Sequence, residues 1–288
     1  MHNFVLYSRI RVLYSGPVAC ATTSPDLKIQ VAEFWNSEPC GTRYLGGNLN
    51  FEEQSATRYR IEPHIPVFAG FASACGLKVL EIGVGLGADY EQWLKAGAIA
   101  TGIDLSAKSL ELTKRRCEAA GFKPDLQQAD AENLPFPANS FDIVYSYGVM
   151  HHSPNTARCV REAWRVLKPG GEARIMLWLR YGVWRGQSIR QCVYDHLESP
   201  GTKTFTRAEA LAMMRDFENV SLQQVFSPGD LLLHRPSARF QGRICKSLWK
   251  FFPRTLISRC GRRHGLFLLI AGAKPENTLV GKSMPSWN

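Results

Sequence analysis

The sequence predicts an α/β fold, a mostly parallel sheet covered by helices on both faces. Strand-length apolar runs alternate with helix-length segments at short spacing from Lys78 to Leu179, the pattern of crossover connections between parallel strands. The first of these strands ends in three close glycines, and an acid closes the second about 20 residues later, which shapes a nucleoside pocket at the strand ends. At 288 residues, 45% apolar and 21% charged, the chain can bury a substantial core, and global disorder is excluded.

Lys78 to Ile82 reads as the first strand, Ala88 to Ala96 as a helix closed by Gly97, and Ile99 to Asp104 as the second strand. Ser106 caps a helix that runs to Ala120, with Gly121 ending it and Pro124 just beyond. Asp125 to Gln128 is a short third strand and Phe141 to Tyr145 an apolar fourth. Asn155 to Leu167 is a helix ended by Lys168-Pro169-Gly170-Gly171, and Ala173 to Leu179 is the fifth strand. Thr206 and Glu209 form a capping box that opens a helix through Phe217, followed by strands at Val220 to Phe226 and Gly265 to Ala273. The long interval between these last two strands implies an inserted element.

Ahead of the sheet, Lys28 to Phe71 is helical but irregular, with Phe34, Trp35, Tyr44, Tyr59 and Phe68 among charges. These aromatics either cover the sheet or form a lid over the pocket. The first 25 residues lack acids and contain Arg9 and Arg11, but Ser8 and these arginines break the apolar stretches. No signal-peptide core forms, and residues 1–27 read as a disordered extension, with a mitochondrial presequence as the alternative. The main domain then spans 28–275: a helical lid at 28–75, a cofactor-binding core at 76–180, and a C-terminal part at 181–275 that holds a basic insert at 230–264. Residues 276–288 are a tail.

Eight scattered cysteines, without a Cys-x-x-Cys pair or a His cluster at zinc spacing, point to no metal site or disulfide framework and to a reducing, cytoplasmic compartment. No uninterrupted run of about 18 apolar residues occurs, so any membrane contact is peripheral. Net charge is +10, and the stretch from Asp230 to His264 holds nine Lys/Arg against one acid. The basicity therefore describes one segment and is no sign of general nucleic-acid affinity.

Gly83, Gly85 and Gly87 permit a sharp turn and let a ligand approach backbone N–H groups at a helix N-terminus. With Ala88 they also satisfy a dinucleotide fingerprint, so the glycines alone leave the nucleotide open. Glu81 discriminates: a buried carboxylate repels a pyrophosphate but suits a ligand with an ammonium group, which favours S-adenosylmethionine over NAD. Asp104 is placed to accept from both ribose hydroxyls, or alternatively caps the following helix. Asp130, after the third strand, is positioned to accept from an adenine amino group while the Ala131 N–H serves a ring nitrogen; otherwise it is an ordinary loop acid. His151 and His152 follow the fourth strand, near the reacting end, where one of them either assists proton removal or helps to shape the loop.

Taken in order, Val-Leu-Glu-Ile-Gly-Val-Gly-Leu-Gly, Gly-Ile-Asp-Leu-Ser, Ala-Asp-Ala-Glu-Asn-Leu-Pro-Phe, Ser-Phe-Asp-Ile-Val, Val-Met-His-His and Arg-Val-Leu-Lys-Pro-Gly-Gly resemble the successive motifs of class I S-adenosylmethionine-dependent methyltransferases. The branch most resembled includes the ubiquinone and menaquinone biosynthesis methyltransferases, over roughly Lys78 to Leu179. The resemblance implies a Rossmann-like seven-stranded sheet with its last strand antiparallel. It also implies that Glu81 and the Gly83 to Gly87 loop hold the methionine part of the cofactor, that Asp104 binds the ribose and that Leu105 packs on the adenine. Asp130 and Ala131 would read the adenine edge, and Ser146 would offer its backbone to the methionine end.

Between Ala238 and Phe252, Phe240, Ile244, Leu248 and Phe251 recur at helical spacing beside a stripe of Arg239, Arg243, Lys246 and Lys250. Such a helix suits an anionic membrane surface or the capping of a lipophilic acceptor, and alternatively packs on the sheet with its charges in water. The absence of a recognisable RNA-binding module argues against nucleic acid. The expectation is an enzyme that methylates a small, lipophilic or aromatic acceptor by in-line displacement. The alternatives are an inactive binding or scaffold protein of the same fold and a peripheral membrane module, and the sequence leaves the oligomeric state open.

Overall fold

The computed structural model describes residues 25–37, 39–40, 42, 50–179, 200–226, 250–251, 254–256 and 265–276. The basic segment 238–252 lies outside these residues except for Lys250 and Phe251, as do Tyr44 and residues 1–24. Seven strands form one sheet in the order β3-β2-β1-β4-β5-β7-β6. They are β1 (Lys78–Ile82), β2 (Ile99–Asp104), β3 (Asp125–Gln128), β4 (Phe141–Tyr147), β5 (Leu167–Trp178), β6 (Glu218–Val225) and β7 (Phe267–Ala273). β1 to β5 pair in parallel, whereas β7 runs antiparallel to both of its neighbours, β5 and β6. Strand order reverses between β1 and β4, the switch point at which open α/β sheets present a crevice.

The crossover helices are α4 (Ala88–Lys95), α5 (Ala107–Ala119) and α6 (Thr156–Val166), and α7 (Arg207–Met213) precedes β6. Asn155 and Ser106 cap α6 and α5 with their side chains, and the capping box of Thr206 and Glu209 is formed. α7 ends at Met213, four residues short of the Phe217 expected from sequence. α1 (Pro25–Ser37), α2 (Phe51–Ile61) and α3 (Ile65–Ala69) precede the sheet. α1 starts at Pro25, inside the segment read as an extension, because a proline is tolerated where a first-turn N–H has no partner.

Side-chain alternation divides the core in two. Leu80, Ile82, Val144, Ile175 and Leu177 face α6 and α7, while Val79, Ile143 and Tyr145 pack with Tyr90 and Trp93 of α4 and with α3. The limits of the later strands differ from the sequence reading, with β6 beginning at Glu218 and β7 at Phe267. β4 continues to Tyr147. β5 begins at Leu167, so Lys168-Pro169-Gly170-Gly171 lies inside a strand instead of ending a helix. The reason is a cross-sheet partner: Gly170 N–H donates to Lys274 O at 2.9 Å and Lys274 N–H to Gly171 O at 2.8 Å, pairing this irregular start with the chain beyond β7.

No helix among the described residues is long and apolar enough to cross a membrane.

Candidate active site

A cavity of about 260 Å3 runs along the carboxyl ends of the parallel strands and under α1 and α2. Its wall from β3, β2 and β1 carries Asp130, Ala131, Asp104, Leu105 and Glu81 with Gly83 and Gly85. Its wall from β4, β5 and β7 carries Tyr147, Gly148, Met176, Trp178 and Phe267. Because β7 is antiparallel, its amino end meets the carboxyl end of β5, and Phe267 pairs with Trp178 in register.

The loop after β1 is built by glycine. A side chain at Gly83, where φ is +81°, would collide with Val149, and Gly87, at φ +73°, leaves room that Thr113 fills. Gly83 and Gly85 line the cavity; Gly87 does not, and instead begins α4 against α5. The Gly85 N–H donates to Asp104 Oδ2 at 3.0 Å and the Ser106 N–H to Oδ1 at 2.8 Å. Burial nevertheless pushes the Asp104 carboxyl up to about 6, against the pull of these donors and the Leu105 N–H. Ser106 itself caps α5, which leaves Asp104 without that task.

Asp130 is engaged by α1. Lys28 of α1 reaches Asp130 Oδ2 and Glu132 Oε2, each at 2.7 Å, and Asn36 on the same helix accepts from Ser106 Oγ at 2.8 Å. Trp35 meets the His152 ring edge-on with centroids 5.1 Å apart. The aromatic N-terminal segment thus divides its roles: Trp35 lines the cavity, while Phe34 is buried.

Glu81 is 3% exposed and its Oε2 has no hydrogen-bond partner. Burial, and next the charge of Asp89, raise its carboxyl well above the usual range. Asp89, in the first turn of α4, is the hub beside it. Its two oxygens accept from Arg58 Nε at 3.0 Å and Nη2 at 2.6 Å, from Tyr59 Oη at 3.0 Å and from Tyr145 Oη at 2.9 Å. Burial opposes its charge, but Arg58 and the two phenols outweigh that and hold the Asp89 carboxyl below its ordinary value. Arg58 and Asp89 both line the cavity and escaped the sequence reading. An acid in a first helical turn was the only local signal, and Arg58 lies 31 residues from its partner.

Side-chain direction separates two further expected residues from the cavity lining. Ser146 is fully buried on the α6 face, donates to Ile82 O at 3.3 Å and does not line the cavity; the next residues, Tyr147 and Gly148, do. A strand turns alternate residues to opposite faces, so a shift of one position exchanges the site for the core. His151 is likewise fully buried away from the cavity with both ring nitrogens unpartnered, and burial followed by the adjacent His152 lowers it well below the usual imidazole range. His152 does line the cavity, with Nδ1 2.9 Å from Thr202 Oγ1, and burial pushes it to about 3, so its ring is neutral. The aromatic wall extends outward: Trp178 and Phe267 lie 5.0 Å apart, and Tyr147 Oη is 2.6 Å from His64 Nε2.

Residues 80–175 match the protein family described as "Methyltransferase domain". A phthiotriol/phenolphthiotriol dimycocerosates methyltransferase of Mycobacterium ulcerans is 41% identical over 160 residues, covering 49% of this chain and 58% of that protein. A sterol 24-C-methyltransferase of Gibberella zeae is 33% identical over 119 residues, covering 40% and 31%. A demethylmenaquinone methyltransferase of Tropheryma whipplei is 29% identical over 180 residues, covering 56% and 74%. The chain thus spans less than two thirds of the length of the first two relatives. Among solved structures, a geranyl diphosphate C-methyltransferase from Streptomyces coelicolor, in complex with Mg2+, geranyl diphosphate and S-adenosylhomocysteine, aligns with a TM-score of 0.60 at 16% identity over 88% of this chain and 99% of that one. At that identity the likeness is one of fold.

Proposed function

We propose that this chain, whose residues 80–175 match a methyltransferase domain, is a class I S-adenosylmethionine-dependent methyltransferase that transfers a methyl group from that cofactor to a small, lipophilic or aromatic acceptor. The single observation that carries the reading is the orphaned Oε2 of Glu81, a buried carboxylate oxygen without a partner in a cavity that also presents Asp104 and the glycine loop. A buried acceptor of this kind is costly unless a ligand donor meets it, and the ammonium of a methionine moiety is such a donor.

Glu81 then holds the ammonium, Asp104 accepts from the ribose hydroxyls, and Leu105 packs on the adenine, whose edge Asp130 and Ala131 read. The bound cofactor supplies an electrophilic methyl on a sulfonium. The protein's contribution is to align the acceptor and exclude water, a task that orientation alone can make worth about 7–11 kcal/mol. Trp35 and Arg58 from the lid helices and Trp178 and Phe267 from the sheet close around that space. The aromatic wall supports an acceptor with a flat or lipophilic body.

Isothermal titration with S-adenosylmethionine, with NADH as the control, tests the reading. Binding of the former alone, followed by transfer of labelled methyl to a compound in a small-molecule cell extract, is expected. Preference for NADH, or binding of neither, overturns it. Persistent binding with no labelled product in any extract would favour a scaffold role.

A further inference from the structure

Methylating a hydroxyl, or a carbon activated by one, releases a proton, and the aromatic wall of the cavity holds a hydrogen-bonded pair, Tyr147 and His64, able to take it. Granted the methyltransferase reading, we infer that Tyr147 is a catalytic residue that accepts the proton of a hydroxylated planar acceptor, and that His64 is the positioning base behind it. Tyr147 is the last residue of β4 and lines the cavity, on the face opposite to Ser146. Its Oη lies 2.6 Å from His64 Nε2, across 83 residues of sequence, and His64 sits at the N-cap of α3. The other ring nitrogen of His64, Nδ1, is buried with no partner, so the phenol is the group its imidazole addresses. With the proton on Nδ1, Nε2 accepts from the phenol of Tyr147. Phe267 confines the pair, its ring centroid 5.7 Å from His64 and 6.4 Å from Tyr147.

The step balances as follows. The acceptor oxygen, or the carbon it activates, bonds to the methyl carbon as the bond from methyl to sulfur breaks, and that electron pair stays on sulfur. The hydroxyl proton passes to Tyr147 Oη while the proton of Tyr147 passes to His64 Nε2, and the imidazolium later releases it to solvent. The charges that act on His64 are Arg58 from α2, itself paired with Glu62, and Asp89 from α4, and Tyr147 from β4 and the neutral Phe267 from β7 lie against its ring. Burial, then Arg58, keep the imidazole at about 4, only partly offset by Asp89, so it is neutral before reaction. Transfer removes the sulfonium charge from the cavity, and the imidazolium replaces it with no net gain of buried charge.

The test uses labelled S-adenosylmethionine with 2-naphthol as acceptor over a pH series, for the wild type, Tyr147→Phe and His64→Gln. Tyr147→Phe keeps the ring and its packing. It is expected to lower kcat at neutral pH by about 100-fold, with KM and cofactor affinity nearly unchanged. The deficit should then shrink by about tenfold per pH unit as naphtholate becomes available and no base is needed. His64→Gln should show a smaller loss with the same dependence on pH. A deficit that stays constant across pH reveals a packing role and overturns the inference. So does a wild type that binds the cofactor but leaves 2-naphthol unmethylated, whereas failure to bind the cofactor overturns the methyltransferase reading instead.

Discussion

The two halves of the cavity rim are built on different principles. The half formed by β3, β2 and β1 is polar and local: Glu81, Gly83, Gly85, Asp104 and Asp130 all lie within or just after three strands that follow one another in the chain. The half formed by β4, β5 and β7 is aromatic and assembled from afar: Tyr147, Trp178 and Phe267 meet Arg58 and His64, which precede the whole sheet. A common ligand needs fixed donors and acceptors, whereas a variable one needs shape. Under the proposed function, the first half is the cofactor's and the second the acceptor's.

The Asp89 hub touches both halves, and removing it is the harshest way to break the distinction. Asp89→Ala leaves Arg58 in a largely buried place without its carboxylate, and Tyr59 and Tyr145 without their acceptor. Loss of one partner of such a pair costs about 3–5 kcal/mol. The partial exposure of Arg58 places this variant at the low end, about 3 kcal/mol. Urea unfolding should show that loss, together with weakened cofactor binding and weakened turnover. Arg58→Met combined with Asp89→Leu should recover most of the stability and neither activity. Full stability in Asp89→Ala alone would remove Asp89 from its central place.

Asp104 sharpens the comparison because it belongs to the cofactor half only. Asp104→Asn loses the charged acceptor for two hydroxyls and should weaken cofactor binding by about 2–3 kcal/mol, on the order of 100-fold. Its pH dependence has a definite sign. The free carboxyl is held up at about 6, so below that pH it is protonated, and each further unit down costs binding up to about tenfold. On folding the same shift acts the other way: the contribution of Asp104 to stability is fully present below the ordinary aspartate range and is lost as pH rises through about 6. Calorimetric affinities that stay flat between pH 5 and pH 7 in the wild type, pH values bracketing a titration at about 6, would remove the charge from Asp104's role. Asp104→Asn should give that flat profile. In the other half, Trp178→Ala should leave cofactor affinity within about twofold while raising the acceptor KM about tenfold, the worth of part of a buried aromatic surface.

The same contrast governs what could be read from the chain. β1, β2 and β3 begin and end where periodicity and turn residues place them, because each is a short run between glycines, caps or a proline. The cavity residues that they carry sit at those punctuated ends. In the acceptor half, β4 runs two residues further than its apolar stretch and β5 absorbs a Pro-Gly-Gly turn, since pairing with neighbours outweighs local propensity. One residue of strand phase separates the buried Ser146 side chain from the Tyr147 ring at the cavity. His151 and His152, alike on paper, were separated by a single 3-10 turn from Met150 to His152 that turns only the second ring to the cavity. The partnerships of Arg58, His64 and Lys28 span 31, 83 and 102 residues, and nothing in a local pattern encodes them.

Lys28 yields the smallest expected effect, and one opposite in sign to the rest. Its ammonium bridges Asp130 and Glu132, so the carboxylate proposed to read adenine is already engaged by α1. Lys28 and Asp130 are about a third exposed, which limits the strength of the contact to the 0–1 kcal/mol of a surface pair. If adenine and Lys28 compete for Asp130, Lys28→Met should tighten cofactor binding by about two- to fivefold, chiefly in the association phase followed by stopped-flow, because α1 opens without breaking an ion pair. The gain should fade as salt screens the wild-type pair. Weaker binding in Lys28→Met at every salt concentration would instead make Lys28 part of the closed site, with α1 clamping the cofactor rather than guarding its seat.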